Sequence, residues 1–78
     1  MQTKNSGKTK TVTVRAEPIE LCQLLKFGGL ANTGGEAKVH IGAGKVLLNG
    51  VVETQKRKKV MAGDKVTLGD QTLVVALA

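Results

Sequence analysis

The fold turns on residues 21–42: Leu21-Cys22-Gln23-Leu24-Leu25-Lys26-Phe27-Gly28-Gly29-Leu30-Ala31-Asn32-Thr33-Gly34-Gly35-Glu36-Ala37-Lys38-Val39-His40-Ile41-Gly42. Leu21, Leu24 and Leu25 repeat at i, i+3 and i+4, which puts them on one face of a helix. Just upstream, Pro18 suits the first helical position, and Glu17 and Glu20 complement the positive end of the helix dipole. Lys26 falls in the last turn, and Gly28-Gly29 closes the helix because glycine accepts the left-handed cap conformation. Thr33-Gly34-Gly35-Glu36 fits a capping box, in which Thr33 and Glu36 satisfy each other's free backbone amides. Ala37 and Ile41 form the apolar face of this second helix, and Gly42 and Gly44 stop it. About four residues join the two helices, a link too short to let them avoid packing together.

The period changes to two from Lys45 onward. Val46-Leu47-Leu48 and Val51-Val52 flank Asn49-Gly50, a dipeptide whose two positions both accept positive φ and which therefore predicts a tight hairpin. Gln55 to Lys59 is basic and unpatterned. Lys65–Leu68 and Thr72–Val75 then flank a Gly69-Asp70 turn and predict a second hairpin. Upstream, Thr11-Val12-Thr13-Val14 is β-branched throughout and reads as a strand, while residues 1–10 read as a flexible basic tail. The expected order is β-α-α-β-β-β-β. This is an α+β fold with two short packed helices against a small antiparallel sheet, with residues 11–78 as one domain and no internal repeat. Leu73–Leu77 is expected to offer a sheet edge for pairing.

At 78 residues the chain has length for one domain. A domain of this size buries roughly 60% of the surface its unfolded chain exposes, leaving little room for a deep substrate pocket. Phe27 is the single aromatic residue, so the core is expected to be built from Leu, Val, Ile and Ala, with Phe27 among them. Twelve Lys and Arg against six Asp and Glu give a net charge of +6 and a pI near 9.8, the range of nucleic-acid binders. Residues 1–15 carry four basic groups and no acidic one, and residues 36–59 carry six basic against two acidic, a net +4. The remaining stretches, 16–35 and 60–78, are each −1. The charge therefore lies in two blocks, which predicts a patch. Cys22 is the one cysteine, which excludes an internal disulfide and fits a reducing, cytoplasmic compartment. No apolar stretch reaches the ~20 residues of a membrane helix, and the N-terminus does not read as a secretory signal.

In order, these segments resemble the RNA-binding domain first defined in ribosomal small-subunit protein four, whose hallmark is the αL motif of two short helices followed by a loop-rich strand region. The resemblance runs from Leu21-Cys22-Gln23-Leu24-Leu25 through Gly29-Leu30-Ala31 and Thr33-Gly34-Gly35-Glu36-Ala37-Lys38. It continues through Gly44-Lys45-Val46-Leu47-Leu48-Asn49-Gly50 to Ala62-Gly63-Asp64-Lys65-Val66, about two-thirds of the chain. The family usually carries basic residues where Gly34 and Gly35 stand, and an acidic one in place of Cys22. Small stand-alone bacterial members look most like this chain. The resemblance implies binding to structured RNA, often ribosomal or transfer RNA.

Lys56-Arg57-Lys58-Lys59 carries that reading in chemical terms. An extended segment would alternate these side chains between two faces, whereas a curved loop lets three or four reach one phosphate strand, with Lys38 and Lys45 nearby if the αL arrangement holds. Neutralising about five phosphates gives a log–log salt slope of roughly −3.5 to −4.5. Lys26 is a further candidate contact, as are Gly34 and Gly35, whose first-turn amides would let a phosphate approach closely. The lack of aromatics for base stacking predicts recognition of shape and backbone more than of base identity. Asn49 is read as a turn residue, since it precedes Gly50.

Catalytic readings fail. Gly42-Ala43-Gly44-Lys45 has Val46 and Val39 where a phosphate loop needs Ser or Thr and the first Gly. His40 and Cys22 are too few for a metal site, and Cys22 beside Leu21 reads as packing. The expectation is a monomeric, non-enzymatic module without cofactor or small-molecule substrate. Its partner would be structured RNA, by resemblance ribosomal RNA or the ribosome, and not a membrane. The alternatives are an adaptor docking an acidic protein on a ribonucleoprotein particle, and weak binding of duplex DNA.

Overall fold

In the computed structural model, which describes residues 8–78, both hairpins form as their turn signals predict, and the capping box forms in one of its two bonds. Strand β3 (Val46–Leu48) turns into β4 (Val51–Val52) through Asn49 at φ 52° and Gly50 at φ 84°. The Asn49 side chain ties this turn to a distant segment: its Oδ1 accepts from the Lys65 amide at 2.9 Å and its Nδ2 donates to Asp64 Oδ1 at 3.1 Å. Strands β6 (Lys65–Leu68) and β7 (Gln71–Leu77) form the second hairpin. Helix α2 (Gly34–Gly42) begins with the Glu36 amide donating to Thr33 Oγ1 at 3.0 Å. The return bond goes one residue further back than a capping box predicts, with Glu36 Oε1 accepting from the Asn32 amide at 2.9 Å.

Helix α1 (Leu21–Phe27) is shorter than its upstream signals predicted. Pro18 does not open it, because Ile19–Glu20 forms the two-residue strand β2, paired antiparallel with β5 (Lys59–Val60). The bond with Lys59–Val60 holds the chain extended until Leu21. At the other end Gly28, not Gly29, meets the core: a Cβ on Gly28 would sit 2.3 Å from Leu73 Cδ1 and 2.8 Å from Cδ2. The glycine is thus required by the close approach of α1 to β7. Gly29, at φ 79°, supplies the left-handed turn.

The main sheet has the order β1-β7-β6-β3-β4, where β1 is Lys8–Val14. It is mixed, since β1 runs parallel to β7 along all seven residues, Lys8 against Gln71 through Val14 against Leu77. The expectation of a wholly antiparallel sheet is corrected here, and β2 and β5 add a separate two-stranded ribbon. Leu73–Leu77 is not an edge, because β7 lies between β1 and β6. The open edges belong to β1 and β4. Strand β1 begins at Lys8, so Lys8–Lys10 belong to the sheet and not to the basic tail; residues 1–7, the rest of that tail, lie outside the described residues.

A single core unites Val12 and Val14 of β1, Leu21, Cys22, Leu24 and Leu25 of α1, Ala37 and Ile41 of α2, and Val46, Val60, Val66, Leu73 and Val75 of the strands. It is aliphatic as expected, and Cys22 packs within it. Phe27 does not: it is 67% exposed. At 3.6 residues per turn, Phe27 lies roughly 115° round α1 from the centre of the Leu21–Leu24–Leu25 stripe. The stripe position in the last turn falls to Gly28, and Leu73 fills the space there.

Candidate nucleic-acid interface

The basic loop is fastened to α1 by its backbone. The first amides of a helix have no partner within the helix, and Glu20, the residue before α1, makes no side-chain cap. Carbonyls from the loop take that place: the Leu21 amide donates to Lys58 O at 2.9 Å and the Cys22 amide to Lys56 O at 3.1 Å. The loop also turns on itself, with the Lys58 amide donating to Gln55 O at 3.2 Å, and Glu53 Oε2 accepts from the Gln55 amide at 3.0 Å. The carbonyls of Lys56 and Lys58 point inward as acceptors, and the side chains of Lys56, Arg57, Lys58 and Lys59 are all exposed. The carbonyls face the helix, and the cationic side chains are left to solvent.

Lys56 reaches across to the second helix. Its Cε lies 3.3 Å and its Nζ 3.7 Å from where a Cβ on Gly42 would be. Lys38 is exposed four residues before Gly42, hence on the same face of α2 one turn earlier. Lys45 is exposed just past the end of α2, where its amide donates to His40 O at 3.1 Å. Lys56 thus lies against the C-terminal end of α2, with Lys38 one turn earlier on that face, Lys45 three residues past Gly42, and Arg57 and Lys58 continuing from Lys56. Lys59 differs from its neighbours, as its Nζ lies 3.8 Å from Glu20 Oε2, the one ion pair among the described residues.

Three sequence candidates fall outside this cluster. Lys26 is in the last turn of α1, about 7 Å along the axis from the loop's attachment at Leu21. Gly34 and Gly35 open α2, about 11 Å along the axis from the Lys56 contact at Gly42. Nothing lies within 4 Å of a Cβ placed on Gly34, and only Thr33 Oγ1, at 3.8 Å, approaches one on Gly35. Their turn is open, but it also carries the Glu36 carboxylate.

The family model for the S4 domain matches residues 12–76, from within β1 to the penultimate residue of β7. The chain belongs to the S4 domain family. A relative from Escherichia coli (strain K12), named "Putative RNA-binding protein YbcJ", is 42% identical over 57 residues, which are 73% of this chain and 81% of that protein. A Shigella flexneri protein, "Uncharacterized protein YbcJ", matches to the same extent. A solution structure of E. coli YbcJ superposes with a TM-score of 0.67 and 35% identity over 97% of this chain and 94% of that one, and is described as revealing an αL motif involved in RNA-binding. The two helices and the strands that follow them here are therefore the S4 domain's αL arrangement on an α+β frame.

Sequence reasoning missed two features around this S4 domain. The first is the pairing of Glu20 with Lys59, which depends on the β2–β5 ribbon. The second is the exposure of Phe27, for which a signal existed: its angle on the helical wheel already placed it off the leucine stripe.

Proposed function

We propose that this S4 domain is a non-catalytic, cytoplasmic, monomeric module that holds structured RNA, ribosomal RNA or a ribosome-associated particle, through Lys56, Arg57, Lys58 and Lys59 together with Lys38 and Lys45. The observation that carries the reading is the inward turn of the Lys56 and Lys58 carbonyls onto α1, which leaves the four basic side chains in solvent beside Lys38 and Lys45. Membership of the S4 family and the αL motif of YbcJ, described as involved in RNA-binding, support RNA as the anion. Lys26, Gly34 and Gly35 would serve as outlying contacts for a longer RNA. Affinity then comes from phosphate neutralisation and is strongly salt-dependent.

The test is fluorescence anisotropy with a structured RNA and a DNA duplex of equal length at two salt concentrations. The wild type is compared with a variant carrying Lys56→Glu, Arg57→Glu, Lys58→Glu and Lys59→Glu. Tighter binding to RNA, steep weakening with salt, and loss in a variant that still folds are the expected results. Failure of the wild type to bind either, or unchanged binding by the variant, would overturn the assignment. Retention of an acidic protein in pull-downs after RNA digestion would replace RNA with a protein partner, and co-sedimentation with ribosomal particles checks the ribosomal target.

A further inference from the structure

We infer that the groove between β1 and α1 binds a single-stranded RNA segment, with one base stacked on Phe27 and the backbone held by Lys10 and Arg15. The inference rests on the RNA-binding reading above and adds to it a second surface, distinct from the basic loop.

The groove has a volume of about 750 Å³, and Phe27 and Gln23 of α1 line it on one side and β1 on the other. Phe27 is 67% exposed, in a chain that has no other aromatic residue. An aromatic ring left out of an aliphatic core offers a face on which any base can stack. Lys10 and Arg15 line the same groove and no acidic residue does. Lys10 lies within β1, about 13 Å of strand before its end at Val14, and Arg15 stands in the bend just beyond. The two cations therefore mark separate points along the groove, as a short oligonucleotide needs and a lone anion does not. Lys10 Nζ lies 3.5 Å from where a Cβ on Gly29 would be, so the ammonium sits over the end of α1, two residues beyond Phe27.

Strand β1 also supplies polar groups. It is the outer strand of the sheet. The Lys8 amide donates to Asp70 O, and Val14 O accepts from the Ala78 amide, so the even-numbered residues turn their backbone groups toward β7. By alternation, Thr11 and Thr13 turn their amides and carbonyls to the open side. An open strand edge also accepts a further strand, but lysines along it discourage that pairing, and Lys8 and Lys10 are there. The exposed ring in a groove that also carries two cations favours a nucleotide chain over an added peptide.

The experiment compares a blunt RNA hairpin with the same hairpin carrying a five-nucleotide single-stranded tail, binding to wild type, Phe27→Ala and Arg57→Gln/Lys58→Gln. The tail is expected to tighten wild-type binding about tenfold, the range of one base stacked on an aromatic ring. Phe27→Ala should remove that gain while leaving blunt-hairpin affinity unchanged, and the loop variant should weaken both probes equally. Because the ring is exposed, the variant's thermal midpoint should match wild type, which checks folding. Equal affinity of wild type for both hairpins, or a tail effect that survives Phe27→Ala, overturns the groove assignment and leaves the loop assignment standing. Failure to bind either hairpin overturns both. Backbone amide shifts at Thr11 and Thr13 provide a second readout: movement with the isolated oligonucleotide supports the inference. Movement only with an extended acidic peptide would give the groove to strand addition instead.

Discussion

Replacing Arg57 and Lys58 by glutamine tests the loop without touching the fold. Both side chains are exposed, and the bonds to α1 are made by backbone carbonyls that the substitutions keep. Five cations at the proposed interface are free of an ion pair among the described residues: Lys38, Lys45, Lys56, Arg57 and Lys58, since Lys59 faces Glu20. With about 0.7 to 0.9 counterions released per phosphate, five contacts give a slope of roughly −3.5 to −4.5 and three give roughly −2.1 to −2.7. Raising salt from about 50 to 200 mM should then weaken the wild type about 130- to 500-fold and the double variant only about 20- to 40-fold. The assay is anisotropy titration with one structured RNA at four or five salt concentrations. Glu20→Gln offers the opposite sign, since freeing Lys59 should steepen the slope by about 0.7 to 0.9. An unchanged slope in the double variant would refute the reasoning, because it would mean that neither side chain displaces counterions from RNA.

The remaining predictions concern stability and the ends of the helices. Gly28→Ala drives a methyl group into Leu73, which is fully buried. It should cost about 1–3 kcal/mol, read as a fall in Tm of about 4–8 °C per kcal/mol, partly restored by Leu73→Val. Asn49→Ala loses the bonds to Asp64 and Lys65 and leaves a side-chain residue at φ 52°, for about 1–3 kcal/mol by urea denaturation. Asn49→Gly should recover the backbone part alone. Thr33→Ala removes the α2 cap and should cost about 0.5–2 kcal/mol. Gly34→Ala with Gly35→Ala meets open space and should stabilise the domain by up to about 1 kcal/mol per site. If phosphate approaches those amides, RNA affinity falls at the same time, and an unchanged affinity removes both glycines from the interface.

What the sequence determined by itself was local. The Thr33–Glu36 cap, the Asn49-Gly50 turn and the leucine stripe of α1 each depend on groups within four residues of one another, so residue type and spacing were sufficient to read them. The αL resemblance was legible for the same reason, being a run of such signals in order. Tertiary structure decided the rest. The capping of α1 by Lys56 and Lys58 carbonyls and the ribbon of Ile19–Glu20 with Lys59–Val60 join residues more than thirty positions apart, and no periodicity encodes which distant acceptor an orphan amide will find. Strand β1 lies parallel to β7, which became an inner strand, because pairing is settled by which apolar faces meet in the core. Hydrophobicity by itself predicts Phe27 for the core. Its exposure follows from two facts together: its angle on α1, and the seat at Gly28 being filled by a leucine forty-five residues away.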